Sequence, residues 1–368
     1  MDEVEDAAYL TEQIITCIGN KRALLPQIGG AVEVVKRQLG KGKLRVLDAF
    51  SGSGVVARYL KAHSSFLASN DIERYAQVAA ECYLTNRSDV DSVVLDQIVR
   101  RLNAEVDNTT LARGFIEELY APGDAGHIRP GERVFYTPQN ARRLDNYRRL
   151  IGEVPSDMQP QLLGPLLSEA SVHANTAGVF KGFYKDSSTG IGKYGGTNGD
   201  AMTRIMEPIV LNAPVLSGFE CDVSVSRKDA NQAVKDYEDL DLAYFDPPYN
   251  QHPYGSNYFM LNLLVDYRRP ERISKVSGIP VDWQRSDYNV RAKATSRFAD
   301  LVSATDARFL LVSFNDEGFI SPEEMRRILA DQGSIEEVET LYNTYRGSRN
   351  LRGRSIHVTE RLFLVERR

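Results

Sequence analysis

The feature that most constrains the fold is the alternation of apolar runs with glycine-rich and acidic breaks between residues 44 and 84. A short apolar run, Leu44–Phe50, is broken by Ser51-Gly-Ser-Gly54, after which a helical pattern begins. A second apolar run, Ser65–Ser69, ends in Asn70-Asp71 and is again followed by a helical pattern. Strand, tight turn, helix, strand and acidic residue in this order are typical of the first half of a doubly wound sheet. The sequence therefore predicts an α/β protein.

The rest of the chain divides into an insert and a second half of the sheet. Residues 85–219 contain two Pro/Gly-rich breaks and helical patterns at 140–153 and 162–174, which predict a mostly helical inserted lobe. We therefore predict one catalytic domain built from residues 1–84 and 220–368. Its remaining strands are predicted at 221–226, 240–245, 308–314, 337–345 and 356–365, with a helix beginning at Ser321-Pro322. Residues 4–39 are predicted to be helical, with breaks near Gly19-Asn20 and at Gly29-Gly30.

Composition excludes several classes of protein. The 368 residues are 42% hydrophobic and 26% charged, with a net charge of -5, which is unlike a disordered, collagen-like or uniformly basic chain. The three cysteines are far apart, and neither CxxC nor HExxH occurs, so no bound metal is predicted. The N-terminus is acidic and no apolar run reaches about 18 residues. We therefore expect a soluble, cytoplasmic protein that does not enter a membrane.

The sharpest chemical signal is Asp246-Pro-Pro-Tyr-Asn250, placed directly after a buried strand pattern. Open α/β sheets place their sites where strands end. The Asp246 carboxylate and the Pro247 carbonyl can each accept an N–H of a planar amine, which localises the nitrogen lone pair for attack. The prolines restrict the loop, and Tyr249 can stack on a base taken out of its duplex, worth about 1–3 kcal/mol. The alternative is a simple Pro-Pro turn with an acidic cap.

The second signal is the glycine turn after the first strand. Gly52 and Gly54 would let the backbone approach a ligand closely where a helix begins. Asp71 lies about 20 residues beyond Asp48, which is the position of a ribose-binding acid in nucleotide-type cofactor sites. By itself this pattern also fits a dinucleotide site or a purely structural turn.

Together these motifs resemble the Dam-like S-adenosylmethionine-dependent DNA adenine methyltransferases, and most closely the FokI-type branch. The resemblance rests on Gly19-Asn-Lys-Arg-Ala-Leu-Leu-Pro26, Asp48-Ala-Phe-Ser-Gly-Ser-Gly54, Asn70-Asp71 and Asp246-Pro-Pro-Tyr249 in this order. It implies a Rossmann-like methyltransferase fold with a mixed, mostly parallel seven-stranded sheet. It also implies S-adenosyl-L-methionine as cofactor and double-stranded DNA as partner.

The resemblance assigns roles residue by residue. Asp246, Pro247 and Tyr249 match the catalytic loop. The residues that match the cofactor site are Lys21, Asp48, Phe50, Gly52, Gly54, Asp71, Ile72 and Asp246. Asp229 is left out, because its spacing to Asp246 is loose. Asn175, Gly178 and Phe180 resemble a family loop near the extruded base and are expected to contact DNA. Arg346, Arg349 and Arg352 are expected to contact DNA because they lie in an arginine-rich stretch with no acid.

Several alternatives remain at this stage. The arginines between Tyr345 and Ser355 suit phosphate contacts but also a solvated hairpin, and those between Arg142 and Arg149 suit either role. The function is expected to be site-specific methylation of the exocyclic amine of a flipped adenine. An RNA base methyltransferase, a non-catalytic DNA-recognition subunit and a nicotinamide dehydrogenase are the rivals. We expect a monomer, at work on the bacterial nucleoid, and the sequence leaves open whether a cognate restriction endonuclease accompanies it.

Overall fold

The structure is a computed structural model that describes residues 4–12, 15, 21–196, 199–343 and 357–368. Within these ranges, no helix combines the length and the apolarity that crossing a bilayer requires.

These residues form a seven-stranded sheet. Its strands are β1 Leu44–Asp48, β2 Ser64–Asn70, β3 Asp222–Ser226, β4 Leu240–Phe245, β5 Ala307–Asn315, β6 Gly333–Asn343 and β7 His357–Arg367. Their order is β3-β2-β1-β4-β5-β7-β6. The first five are parallel, and β7 pairs antiparallel with both β5 and β6. The predicted mixed, mostly parallel sheet is confirmed.

Helices cover both faces of this sheet and also occur along the chain between β2 and β3. They are α1 Ala7–Thr11, α2 Leu25–Leu39, α3 Val55–Lys61, α4 Arg74–Tyr83, α5 Ser92–Asn108, α6 Phe115–Tyr120, α7 Pro138–Ile151, α8 Gln159–Val172, α9 Met202–Met206, α10 Ala230–Ala233, α11 Tyr254–Asn257, α12 Phe259–Asp266, α13 Arg291–Ala304 and α14 Pro322–Ala330. One face of the sheet packs on α2 and α3, and the other on α13 and α14. Helix α14 begins as predicted, because Ser321 Oγ accepts the amide of Glu324 at 3.2 Å.

The predicted break at Gly29-Gly30 is wrong, because α2 continues through both residues to Leu39. A Cβ added to Gly29 would lie 2.1 Å from the Tyr59 hydroxyl oxygen. This glycine therefore allows the close approach of Tyr59 and does not end a helix. The helix ends at Gly40, whose φ of 64° is the left-handed conformation expected of a glycine cap. The other predicted break, at Gly19-Asn20, lies outside the described residues.

Where the structure describes it, the regular structure between β2 and β3 is helical, apart from an isolated bridge between Lys185 and Gly192. The predicted helices at 140–153 and 162–174 correspond to α7 and α8. The apolar core of this segment also includes buried side chains of α4 and α12. The chain between β2 and β3 therefore packs directly against helices that flank the sheet.

The site is positioned by the adjacency of β1 and β4. The strand order reverses direction at this pair, so the connections after β1 and β4 leave toward opposite sides and open a crevice. The Ala49 amide donates to the Tyr244 carbonyl at 3.1 Å, which aligns the ends of the two strands. The glycine turn after β1, the acid after β2 and the loop after β4 consequently lie along one edge.

Candidate active site

A cleft of about 950 Å³, including its open mouth, lies at this edge. Seven of the predicted site residues line it. They are Lys21, Asp48, Phe50, Gly52, Asp71, Ile72 and Asp246. The other three predicted residues do not line the cleft but are adjacent in sequence to residues that do. They are Gly54, Pro247 and Tyr249.

The glycine turn is held by backbone hydrogen bonds to the neighbouring strand. The Gly52 amide donates to Asp71 Oδ2 at 2.8 Å, and the Ser51 amide donates to the Asn70 carbonyl at 2.9 Å. Gly52 and Gly54 have φ values of 52° and 78°, which only glycine adopts without strain. The turn and the acid after β2 therefore form one unit.

Asp71 is positioned by two amides. Its Oδ2 accepts from Gly52 and its Oδ1 accepts from the Glu73 amide at 2.8 Å. Burial raises the pKa of Asp71, although these amides act in the opposite direction. Each carboxylate oxygen retains acceptor capacity, because a carboxylate offers about four lone-pair sites. Asp71 can thus accept further hydrogen bonds from a ligand in the cleft.

Two other acids of the cleft titrate near neutrality. Burial raises the pKa of Asp48 to about 8, assisted by the nearby carboxylates of Asp246 and Asp71. Burial, with the charge of Asp71, raises the pKa of Glu73 to about 8 as well. Asp48 Oδ2 is buried and has no hydrogen-bond partner among the described residues, whereas Asn262 donates to Glu73 at 2.7 Å. The Asp48 oxygen is available to a polar ligand.

A buried ion cluster lies at the end of β4. Lys21 Nζ is 3.0 Å from Asp246 Oδ1 and 2.9 Å from Glu360 Oε1. Burial would lower the pKa of Lys21, but the two carboxylates outweigh it and raise that pKa well above its usual value. Burial raises the pKa of Asp246 to about 6, while Lys21 lowers it and Glu360 raises it. Asp246 is consequently a carboxylate at neutral pH.

The loop after β4 is fixed at several points. Pro247 is buried, and the Tyr249 ring packs edge-on against Phe314 with centroids 6.0 Å apart. The Phe319 amide donates to the Tyr249 carbonyl at 2.8 Å. Asn289 Nδ2 donates to the Asn250 carbonyl at 2.7 Å. The aromatic and acidic side chains of this loop thus have a defined placement beside the cleft.

Several lining residues were missed by the motif analysis. Asp229, which follows β3, lines the cleft, although its loose spacing to Asp246 had excluded it from the predicted site. Arg297 pairs with it at 2.6 Å. Tyr288 packs edge-on against Phe50 at 5.2 Å, and Asn289 follows it. Asp229 could have been found because it follows a strand at the same sheet edge. Tyr288 and Asn289 lie in a single 3-10 turn, Asp287–Asn289, which follows no strand and carries no comparable signal.

The predicted DNA-contacting residues that the structure describes are not among the residues that line the cleft. Asn175 is buried, and its Nδ2 donates to the Val134 carbonyl at 2.7 Å and the Lys193 carbonyl at 2.8 Å. Phe180 is buried against aromatic side chains such as Phe259, and its amide donates to the Asn257 carbonyl at 2.7 Å. Gly178 has a φ of 92°. Arg346, Arg349 and Arg352 lie outside the described residues.

The arginines of α7 mainly support the fold. Arg143 is buried and donates to the Ile209 carbonyl at 2.6 Å. Arg148 donates to the Leu264 and Val265 carbonyls, both at 2.8 Å. These bonds connect α7 to the 209–211 segment and to α12, so they favour the structural alternative over phosphate contact.

The fold and the site together define an α/β methyltransferase. Three features support this class. The sheet is mostly parallel, with β7 reversed beside β5. The glycine turn is bonded to an acid, and an acidic Pro-Pro-Tyr loop lies where the strand order changes direction. Sequence comparison identifies the family. The model of the D12 class N6 adenine-specific DNA methyltransferases matches residues 18–187 and 203–328, well over half of the chain. The protein belongs to this family, as its motifs predicted.

Individual relatives agree with this assignment. The type II methyltransferase M.NlaIII of Neisseria lactamica is 26% identical over 330 residues, covering 86% of this chain and 90% of that protein. The modification methylase StsI of Streptococcus sanguinis is 26% identical over 370 residues, and M.FokI of Planomicrobium okeanokoites is 23% identical over 363. Each of these two alignments covers 95% of this chain and 52% of the relative, so the chain spans about half their length. The chain is a site-specific DNA adenine methyltransferase.

Proposed function

We propose that the methyl donor is S-adenosyl-L-methionine and that the acceptor is the N6 amine of an adenine extruded from double-stranded DNA. The observation that carries this proposal is the convergence of Asp71, Gly52 and Asp246 on one cleft at the β1/β4 edge. A nucleotide-type ligand held by the first two would end beside the third.

The cleft residues fit this cofactor. Asp71 has acceptor capacity for the ribose hydroxyls, and Ile72 offers an apolar contact for the adenine ring. The unpartnered Asp48 oxygen and the positive φ at Gly52 fit a polar ligand that approaches the backbone. Lys21 is a cation of the cleft lining beside Asp246 and suits a carboxylate. When bound, the cofactor would supply a methyl group made electrophilic by its sulfonium.

The chain's own residues would activate the adenine amine. An amine conjugated with a ring is a poor nucleophile, because its lone pair is delocalised. The Asp246 carboxylate and the Pro247 carbonyl would each accept one N–H and favour a pyramidal nitrogen. The same carboxylate would stabilise the positive charge that develops on this nitrogen, in a site that is already organised before substrate arrives. After transfer, the excess proton can leave through Asp246 or directly to solvent.

Recognition of DNA is proposed to involve the helical insert, residues 85–219. Extruding a base costs a few kcal/mol, and stacking on Tyr249 would return part of this. The segment containing Gly178 and Phe180 is bonded to the chain that follows the catalytic loop, so it can transmit the placement of DNA to Asp246. Asn175 and Arg346, Arg349 and Arg352 remain proposed contacts. We further propose a monomer that works at the nucleoid, with a cognate restriction endonuclease as partner.

The test is transfer of radiolabelled methyl from S-adenosylmethionine to unmethylated duplex DNA, followed by nucleoside analysis. Label in N6-methyladenine is expected, and sequencing of the modified sites would then identify the target. Label that appears only in RNA, or only after a second protein is added, would contradict the proposal as stated.

A further inference from the structure

Glu360 is a buried acid that the proposed chemistry does not use. It contacts the same Lys21 ammonium group as Asp246 does. Only 5% of the residue is exposed, and its Oε1 is 2.9 Å from Lys21 Nζ. Ser313 Oγ donates to the same oxygen at 3.3 Å. Glu360 is paired with Asn315 across β5 and β7, more than 100 residues along the chain from the Asp246 loop. Two strands therefore hold this carboxylate in place.

We propose that Glu360 is a positioning residue for methyl transfer, which holds the Lys21 ammonium between two carboxylates and keeps the Lys21–Asp246–Glu360 cluster negatively charged. The proposal rests on the proposed function, because it concerns the same transfer step.

The charge balance of the cluster supports this role. A lysine paired only with Asp246 would cancel the negative charge that must stabilise a cationic amine. The Glu360 carboxylate pairs with the same Lys21 ammonium. One positive charge is therefore shared by two negative charges, and the cluster keeps a net negative charge. In a desolvated site such charges interact several times more strongly than in water. Glu360 also restricts the long Lys21 side chain, whose rotamers would otherwise let it move over the loop.

The same arrangement predicts how the site titrates. Among the described residues, the charges that act on the pKa of Asp246 are those of Lys21 and Glu360. The Asp246 carboxylate in turn raises the pKa values of its titratable neighbours Asp48, Tyr244 and Tyr249. Glu360 raises the pKa of Asp246 and Lys21 lowers it. Removing the Glu360 charge should therefore lower the pKa of Asp246 and shift the acidic limb of the rate profile to lower pH.

The experiment compares Glu360→Gln with Glu360→Asp in single-turnover methylation of duplex DNA, at saturating cofactor and DNA, from about pH 5 to about pH 9. For Glu360→Gln we expect a plateau rate lower by about 10-fold or more and an acidic limb at lower pH. Because the cofactor is saturating, a change in its affinity through Lys21 does not enter this rate and is measured separately by titration. Glu360→Asp, which retains the charge, should restore part of the rate. Glu366→Gln, on the same strand but paired with the exposed Arg308, is the matched control and should behave as wild type.

An unchanged plateau in Glu360→Gln, or a lower plateau with an unshifted acidic limb, would overturn the proposal and leave Glu360 a structural residue. If Glu360→Gln does not fold, Ser313→Ala tests the contact from the other side. It should slow transfer at an unchanged melting temperature, and an unchanged rate would overturn the proposal. Wild-type enzyme that places no label in N6-methyladenine would instead contradict the proposed function, so the two failures are distinguishable.

Discussion

Replacing Asp246 by asparagine removes one charge from the cleft at almost constant volume. Two unit charges 4 Å apart interact by about 4 kcal/mol in a partly buried site with an effective dielectric constant of about 20. At 1.36 kcal/mol for each factor of ten in rate, loss of the whole interaction would slow transfer by roughly 10³-fold. The asparagine carbonyl can still accept one N–H, which recovers part of this. We therefore expect Asp246→Asn to lower the rate by about 10²-fold or more.

The assay separates chemistry from binding. Single-turnover transfer of labelled methyl to duplex DNA reports the chemical step, and equilibrium titration with the cofactor reports its affinity, which should change little. Asp241→Asn is the matched control, because Asp241 lies near the start of β4, the strand whose other end leads into Asp246, and pairs with Lys41 at 2.7 Å. A rate for Asp246→Asn within about fivefold of wild type would refute the assigned role of this carboxylate.

Further predictions concern titration, cofactor binding and stability. Because the pKa of Asp246 is about 6 and only its carboxylate accepts an N–H, single-turnover activity should fall as the pH decreases through that value. At pH 5 about a tenth of the maximal rate should remain, and a flat profile would contradict this. Asp71→Ala should weaken cofactor binding by about 10-fold or more, measured by calorimetry. The substitution removes the proposed ribose acceptor and also the acceptor of the Gly52 amide. An unaltered affinity would argue against the ribose role of Asp71. Phe180→Ala should lower the free energy of unfolding by about 3–5 kcal/mol in denaturant titration, since the ring is buried against Phe259, whereas a loss of DNA affinity at full stability would show direct contact.

The sheet was predictable because its central strands are buried on both sides. Residues 242–245 are an unbroken apolar run, and β4 begins and ends at the predicted residues 240 and 245. Strands β1 and β2 differ from prediction by one or two residues at their ends. The error at Gly29 has a different origin. Glycine is usually read as a helix breaker, whereas here its missing side chain makes room for Tyr59, which is a tertiary contact. No local pattern distinguishes these two uses.

The candidate site was predictable where its residues follow strands. Asp71 and Asp246 occupy strand ends, and parallel strands place their ends at one edge. Glu360 could not be found in this way, because it lies inside an antiparallel strand where an acid normally marks the solvent-exposed face. Its burial depends on Lys21, which comes from the other end of the chain. Such pairings are set by topology and have no signature in local spacing.

The loop after β4 is anchored before any DNA arrives, and this affects how the proposed enzyme would distinguish one base from another. The Phe319 amide and the Asn289 side chain hold the carbonyls of Tyr249 and Asn250, and Ala49 holds that of Tyr244 at the end of β4. The conformational entropy of this loop is therefore lost when the chain folds and not when DNA binds. Because the loop is already ordered, it does not change conformation to improve its contacts with a base of the wrong shape. Discrimination between bases then depends on how well the extruded base fits the existing site. Slow closure of this loop is not expected to limit turnover.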